Sequence, residues 1–173
     1  MSTTNAATVS PIIELADSLY QLGYVYPDKT KAVASWTALG AGNWIHLHDP
    51  IMGEQVFRGN AVSTHKNLSF GFVGPLNIEL VEPISGRCTY NEYLDAVPAG
   101  GLHHLGYLVE DFDRKAEALK SYGFGLIQSG RFGEGTRFAY FDSWERFGHY
   151  TELLYFDAGT HAMFADLKAG RLA

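Results

Sequence analysis

The chain has 173 residues, 13 basic against 19 acidic for a formal charge of −6, with 46% hydrophobic and only 18% charged residues. That length holds one domain or two small modules sharing a core; the composition excludes a disordered chain, and the acidic balance argues against a nucleic-acid partner held through a basic field. The single Cys88 excludes an internal disulfide and a cysteine-built zinc site, no apolar run reaches the roughly 18 residues of a membrane span, and residues 1–10 lack the features of a secretory signal, so the expected compartment is the cytoplasm.

In chain order, residues 1–18 read as an N-terminal tail, followed by a strand-forming run over 19–26 that ends at Pro27-Asp28. Asp28 is placed to cap a helix over 29–39, where Ala32, Val33, Trp36 and Leu39 recur at helical spacing until Gly40 and Gly42 stop it. Strand-like runs follow at 44–48, 55–62, 67–73 and 77–82, the last two joined by Gly74-Pro75. A short helical stretch at 90–96 leads into Pro98-Ala99-Gly100-Gly101, the clearest hinge in the chain. The order then recurs: a strand at 102–109, a helix at 113–121 ended by Gly123, strands near 125–129, 137–142 and 149–156, and a closing amphipathic helix over about 160–172.

The recurrence extends to the residues themselves. Gln21-Leu22-Gly23-Tyr24 followed by Asp28 matches His104-Leu105-Gly106-Tyr107 followed by Asp111, with a constant offset of 83; Ile78-Glu79-Leu80 matches Thr151-Glu152-Leu153 with an offset of 73. A longer loop in the first half absorbs the difference. The expected fold is therefore α+β: two tandem βαβββ modules, 19–84 and 102–157, forming curved, mainly antiparallel sheets around a shared cleft. The linker is 85–101, the C-terminal helix falls within 158–173, and the helices are expected outside the sheets.

Each half offers one polar residue in its first strand and one carboxylate in its last: Gln21 with Glu79, and His104 with Glu152. Alternation places Glu79 on one face with Asn77 and Val81. An ionised carboxylate on an inward face needs compensation, and one divalent cation compensates two of them beside an imidazole and an amide oxygen. His103 is expected to point to the opposite face from His104. His46 and His48 alternate with Ile45 and Leu47, so both could face the cavity, and neither is assigned a catalytic role. Gly130-Arg131-Phe132-Gly133-Glu134-Gly135 looks like a phosphate loop, but it lies between two strands and opens no helix, so it reads as a hairpin over the site.

The duplicated βαβββ order, with candidate ligands in the first and last strand of each module, resembles the vicinal oxygen chelate superfamily of glyoxalases, bleomycin-resistance proteins and extradiol dioxygenases. From Gly101-Leu102-His103-His104-Leu105-Gly106-Tyr107 through Gln128-Ser129-Gly130-Arg131 to Phe138-Ala139-Tyr140-Phe141-Asp142, the second half is especially similar to the glyoxalase-like branch containing methylmalonyl-CoA epimerase. The resemblance implies metal ligands at Gln21, Glu79, His104 and Glu152, a set similar to that of eukaryotic glyoxalase I, whereas the epimerases usually show His, Gln, His and Glu. It implies a divalent cofactor (zinc, nickel, cobalt, manganese, iron or magnesium) and an isomerase, epimerase or lyase that removes a proton alpha to a carbonyl, with Glu152 preferred over Glu79 as the base. The expected partners are a small-molecule carbonyl compound, largely apolar or aromatic, and a second copy of the chain in a homodimer, with neither nucleic acid nor membrane. The pocket is expected at Trp44, His46, Phe72, Arg131, Phe138 and Tyr140. Two readings from other classes stand beside this one: a metal-free binding protein of the same fold, and an iron-dependent oxygenase, which normally has a second His where Gln21 stands.

Overall fold

The computed structural model describes residues 14–172; most of the expected tail, residues 1–13, lies outside the described residues. A 3-10 turn at Ala16–Ser18 leads into β1 (Leu19–Val25). Asp28 Oδ1 accepts from the Thr30 amide at 2.8 Å, satisfying a first-turn donor of α1 (Thr30–Ala38). The helix stops one residue before Leu39, and the turn at Gly40 (φ 95°) leaves Leu39 exposed rather than on the inward stripe. Then come β2 (Gly42–Leu47), β3 (Met52–Phe57), β4 (Asn60–Ala61), β5 (His65–Val73), β6 (Leu76–Ser85) and α2 (Thr89–Ala96). The second half holds β7 (Gly101–Leu108), α3 (Phe112–Ser121), β8 (Leu126–Phe132), β9 (Thr136–Phe141), the single turn α4 (Trp144–Phe147), β10 (Tyr150–Tyr155) and α5 (Ala158–Lys168).

All ten strands form one sheet, in the order β2-β5-β6-β1-β7-β10-β9-β8-β3-β4. The β1–β6 and β7–β10 pairs are parallel and the other pairings antiparallel, so the halves mirror each other across the central antiparallel β1–β7 pair. The stretch 55–62 departs from expectation. It breaks at a two-residue turn, Arg58 (φ 47°) and Gly59 (φ 79°), whose paired positive angles suit a tight hairpin. The resulting β3–β4 hairpin leaves the first module and pairs with β8 of the second, Met52 opposite Phe132. The final helix starts earlier than expected because Asp157 Oδ1 caps it through the Thr160 amide at 2.8 Å.

The sheet curls so that side chains of β1, β3, β5, β6, β8, β9 and β10 meet around one cavity. On the convex side, α3 covers Ala139, Phe141 and Leu153 with Phe112 and Leu119. The expectation that all helices lie outside is corrected: α2 and α5 pack on the concave side. Buried Tyr90 and Tyr93 of α2, and Phe164 and Leu167 of α5, join Leu68, Phe70, Phe138 and Leu154 in the main core. A curled sheet with an apolar inner face exposes too much of that face unless something fills its ends. Among the described residues, no helix is long and apolar enough to cross a membrane.

Candidate metal centre

The centre is built by the β1–β7 pair. Gln21 stands opposite Gly106, and Gly23 opposite His104. Each glycine has a glutamate on its other flank: Gly23 pairs with Glu79 of β6, and Gly106 with Glu152 of β10. The repeated Leu-Gly therefore places bare backbone beneath the partner strand's ligand. A Cβ at Gly23 would lie 1.9–2.4 Å from the His104 ring atoms; one at Gly106 would lie 3.0 Å from Gln21 Cβ and Glu152 Oε2.

Both strands carry a bulge immediately before the ligand. The register steps from Leu19–Tyr107 to Gln21–Gly106, leaving Tyr20 extra, and from Gly23–His104 to Tyr24–Leu102, leaving His103 extra. A bulge re-aims side chains that simple alternation would send to opposite faces. This corrects the expectation for His103: it is fully buried, with Nδ1 2.9 Å from His104 Nδ1 and its ring among Tyr90, Tyr93, Tyr140 and Tyr150. Burial, reinforced by the neighbouring His104 charge, holds the His103 pKa well below the usual imidazole range. Neutral His103 accepts the His104 Nδ1 proton, which turns His104 Nε2 toward the centre.

Gln21 is oriented in a similar way. Its Nε2 donates to Asn77 Oδ1 at 2.8 Å, and Asn77 Nδ2 donates to the Gly71 carbonyl at 3.1 Å, so Gln21 Oε1 faces inward, 3.4 Å from His104 Nε2. Glu79 Oε2 and Glu152 Oε2 lie 3.1 and 3.2 Å from the same nitrogen. The ligating atoms of Glu79, His104 and Glu152 all lie within 4.8 Å of one another, and all four side chains are buried. Burial would lower the His104 pKa, but the Glu152 and Glu79 carboxylates override it and raise it to about 9. Burial raises the Glu152 carboxyl above its ordinary range, while His104 and a hydrogen bond from Tyr140 pull it back.

Glu79 Oε2 and Glu152 Oε2 are buried and share one ion-pair partner, His104 Nε2, neither with a well-formed hydrogen bond of its own. Leaving carboxylate oxygens so placed is costly. Two carboxylate oxygens, an imidazole nitrogen and an amide oxygen converging on one point are a donor set that could hold a divalent cation, and these residues fit such an ion. The structure thus brings together the four predicted ligands within one chain.

The apolar cavity beside them is lined by Leu68, Phe70, Phe138, Leu154, Phe156 and Phe164 among others, with Gln21, Glu79 and Glu152 at its polar end. Of the predicted pocket residues, Phe138 and Tyr140 line it. Trp44, His46, Phe72 and Arg131 do not. Asn43 (φ 55°) absorbs an irregularity in the β2–β5 register, after which Ile45 and Leu47 pack on the inner core. Trp44 therefore turns its Nε1 to Thr37 Oγ1 of α1, and His46 stacks on Trp44 and bonds Ser69. Arg131 pairs with Glu54 at 2.7 Å, and Phe72 faces a neighbouring pocket beyond Phe164. Among the described residues, no lysine or arginine lines the cavity. Lys66, buried on the same row of β5, turns its ammonium to Thr64 Oγ1 and the Tyr90 ring.

Four contributors were not assigned a role from sequence. Asn77 was legible on the Glu79 face by alternation, yet its hold on Gln21 required the β1–β6 register. Tyr90, Thr160 and Phe164 enter the cavity from helices whose placement no local pattern specifies.

A family model described as Glyoxalase/Bleomycin resistance protein/Dioxygenase superfamily matches residues 20–141. An ethylmalonyl-CoA/methylmalonyl-CoA epimerase of Cereibacter sphaeroides is 38% identical over 53 residues; the match spans 31% of this chain and only 40% of that relative. Among solved structures, methylmalonyl-CoA epimerase from Mycobacterium tuberculosis gives a TM-score of 0.59 at 20% identity, covering 86% of this chain and 93% of its own. A variant Streptomyces coelicolor methylmalonyl-CoA epimerase in complex with 2-nitronate-propionyl-CoA gives 0.57 at 19%, covering 82% and 95%. At such identities the structural likeness speaks for the fold.

Proposed function

The chain belongs to the glyoxalase/bleomycin resistance protein/dioxygenase superfamily, and we propose that it is a divalent-metal-dependent isomerase of the epimerase type, removing and returning a proton alpha to a carbonyl of a largely apolar substrate. The observation that carries this reading is the pair of buried glutamate oxygens that share one imidazole, converging with His104 Nε2 and Gln21 Oε1 at the polar end of an apolar cavity. Gln21, Glu79, His104 and Glu152 would hold the cation. When bound, it supplies Lewis-acid charge that polarises the substrate carbonyl.

The remaining chemistry belongs to the chain. The two glutamates occupy equivalent places on either side of the β1–β7 pair, so they approach a substrate at the cavity's polar end from opposite sides. Their neighbours differ. Tyr140 stands opposite Glu152 on β9, whereas Phe70 stands opposite Glu79 on β5. Tyr140 and Tyr90 share a 2.8 Å hydrogen bond between hydroxyls, so Glu152 has a phenolic donor beside it and Glu79 an apolar ring. Glu152, the more buried carboxylate and one with a raised pKa, is the better proton acceptor once substrate loosens its other contacts. Proton return on the opposite face gives epimerisation, whereas loss of a leaving group after proton removal gives elimination. The apolar walls exclude the water that would otherwise protonate the carbanion indiscriminately.

The test is proton NMR in heavy water of the metal-loaded protein with a panel of α-substituted ketones and thioesters. Wild type should wash deuterium into the α-position, and Glu152→Gln, which retains an amide oxygen, should abolish exchange while keeping much of the metal. Exchange lost in Glu79→Gln but retained in Glu152→Gln would move the base to Glu79. Exchange surviving both changes would exclude this reaction class.

A further inference from the structure

The apolar group of the proposed substrate has to fit a cavity that the chain's last helix narrows. Helix α5 crosses the mouth of the curled sheet. At its start Thr136 of β9 holds it twice: Thr136 Oγ1 donates to Thr160 Oγ1 at 2.7 Å and accepts from the Asp157 amide at 3.2 Å. One turn further on, Phe164 meets Phe70 of β5 edge-on at 5.2 Å and Tyr20 of β1 at 6.2 Å, and stacks on Phe156 at 5.1 Å. The helix thus ties the second module's wall to the first module's, directly over the glutamates. The matched family region ends at residue 141, well before this helix.

Behind Phe164, the space open to the centre of a water-sized molecule is about 50 Å³. An apolar cavity of about 150 Å³ is the size that accepts a benzene ring, so a buried ring beside the glutamates needs more room than Phe164 leaves in this position. Beyond Phe164 lies a second, more open pocket of about 170 Å³ on the same measure, bounded by Tyr20, Phe72, Leu108, His161 and Lys168. Phe164 and Phe156 line both spaces. Phe164 is a partition one side chain thick, with room on its far side to receive it.

We infer that Phe164 is the gate and specificity-determining residue of this enzyme: its ring swings toward the outer pocket to admit the substrate's apolar group, and the space it vacates limits that group to about one aromatic ring. This rests on the metal-dependent carbonyl reading above, and it narrows the substrate class to carbonyl compounds with an uncharged, single-ring-sized apolar substituent, since the chamber offers no lysine or arginine to a second anionic group.

Hydroxamates, which chelate a metal through their own two oxygens and carry the apolar group under test beside it, separate the two claims. The zinc-loaded full-length protein is titrated calorimetrically with acetohydroxamate, benzohydroxamate and 4-phenylbenzohydroxamate, in wild type, Phe164→Ala and Phe164→Trp. In wild type, burying one ring should tighten benzohydroxamate over acetohydroxamate by about ten- to a hundredfold, and the second ring should lose most of that gain. Phe164→Ala should reverse the order of the two aryl probes, and Phe164→Trp should weaken both, while acetohydroxamate binds equally in all three proteins. Phe164→Leu substitutes for the alanine variant if the latter does not fold. An unchanged aryl order across the variants, with acetohydroxamate still bound, would overturn the gate and leave the metal reading standing. Failure of every hydroxamate to bind the zinc-loaded wild type would overturn both.

Discussion

Gly23→Ala puts the proposed metal centre to its sharpest test, because the perturbation is one methyl group on a backbone position with no catalytic atom. The added Cβ would meet His104 Cε1 at 1.9 Å and Nε2 at 2.0 Å. Restoring even the 3.4 Å edge of ordinary contact moves the ring by about 1.5 Å, whereas metal sites tolerate ligand displacements of only about 0.2 Å. His104 therefore leaves the coordination position. With zinc at roughly 100 times its dissociation constant, wild type should gain about 2.7 kcal/mol, or about 5–10 °C in melting temperature for a chain of this size; Gly23→Ala should gain almost nothing. Gly106→Ala is the graded control. Its closest contacts, at 3.0 Å, require shifts of only a few tenths of an ångström, comparable to losing a hydrogen bond that orients a ligand, about ten- to a hundredfold in affinity. At the same zinc concentration that leaves a gain of about 0.4–1.4 kcal/mol. Differential scanning fluorimetry with and without zinc, together with metal content by mass spectrometry, reads both variants against their own metal-free melting points. A wild-type zinc increment in Gly23→Ala, or equal damage from both alanines, would refute the placement of the ligands over these glycines.

Two further outcomes follow from the same geometry. The His104 pKa of about 9 in the metal-free protein lies above its ordinary value of 6.5, so the imidazolium stabilises the metal-free fold fully below pH 6.5 and that contribution is lost as the pH rises through about 9. Metal must displace that proton: near pH 7 about one proton should be released per ion, and apparent affinity should rise about tenfold per pH unit toward pH 9; calorimetry in buffers of different ionisation heat showing no proton release would contradict this. Asn77→Ala leaves the Gly71 carbonyl and Gln21 Nε2 without their buried partner, so it should cost about 1–3 kcal/mol in urea unfolding and weaken metal about ten- to a hundredfold, and wild-type metal affinity in that variant would show that Gln21 needs no orienting partner.

The amino-acid sequence by itself determined the duplicated order of elements and the four converging polar residues, because both are written in local periodicity and in the repeated blocks Gln21–Tyr24 and His104–Tyr107. An offset shared by Leu-Gly-Tyr in both halves is a statement about packing, since only glycine leaves room for the ligand of the facing strand. What lay beyond local pattern was decided by the sheet as a whole. The bulges at Tyr20 and His103 exist only in the β1–β7 pairing, so alternation alone sent the His103 ring to the wrong face. The strand run 55–62 carried no mark of which edge it would join, and it joined β8 of the second module while the outer edge of β2 in its own module stays unpaired. Trp44 and His46 lost the inner face to Ile45 and Leu47, since period-2 alternation yields two sets and burial of the more apolar one selects between them. The helix at the end of the chain reads as any amphipathic helix would. That it narrows the cavity with Phe164 was decided by the curl of the sheet, which leaves an apolar mouth that only tertiary contact can cover.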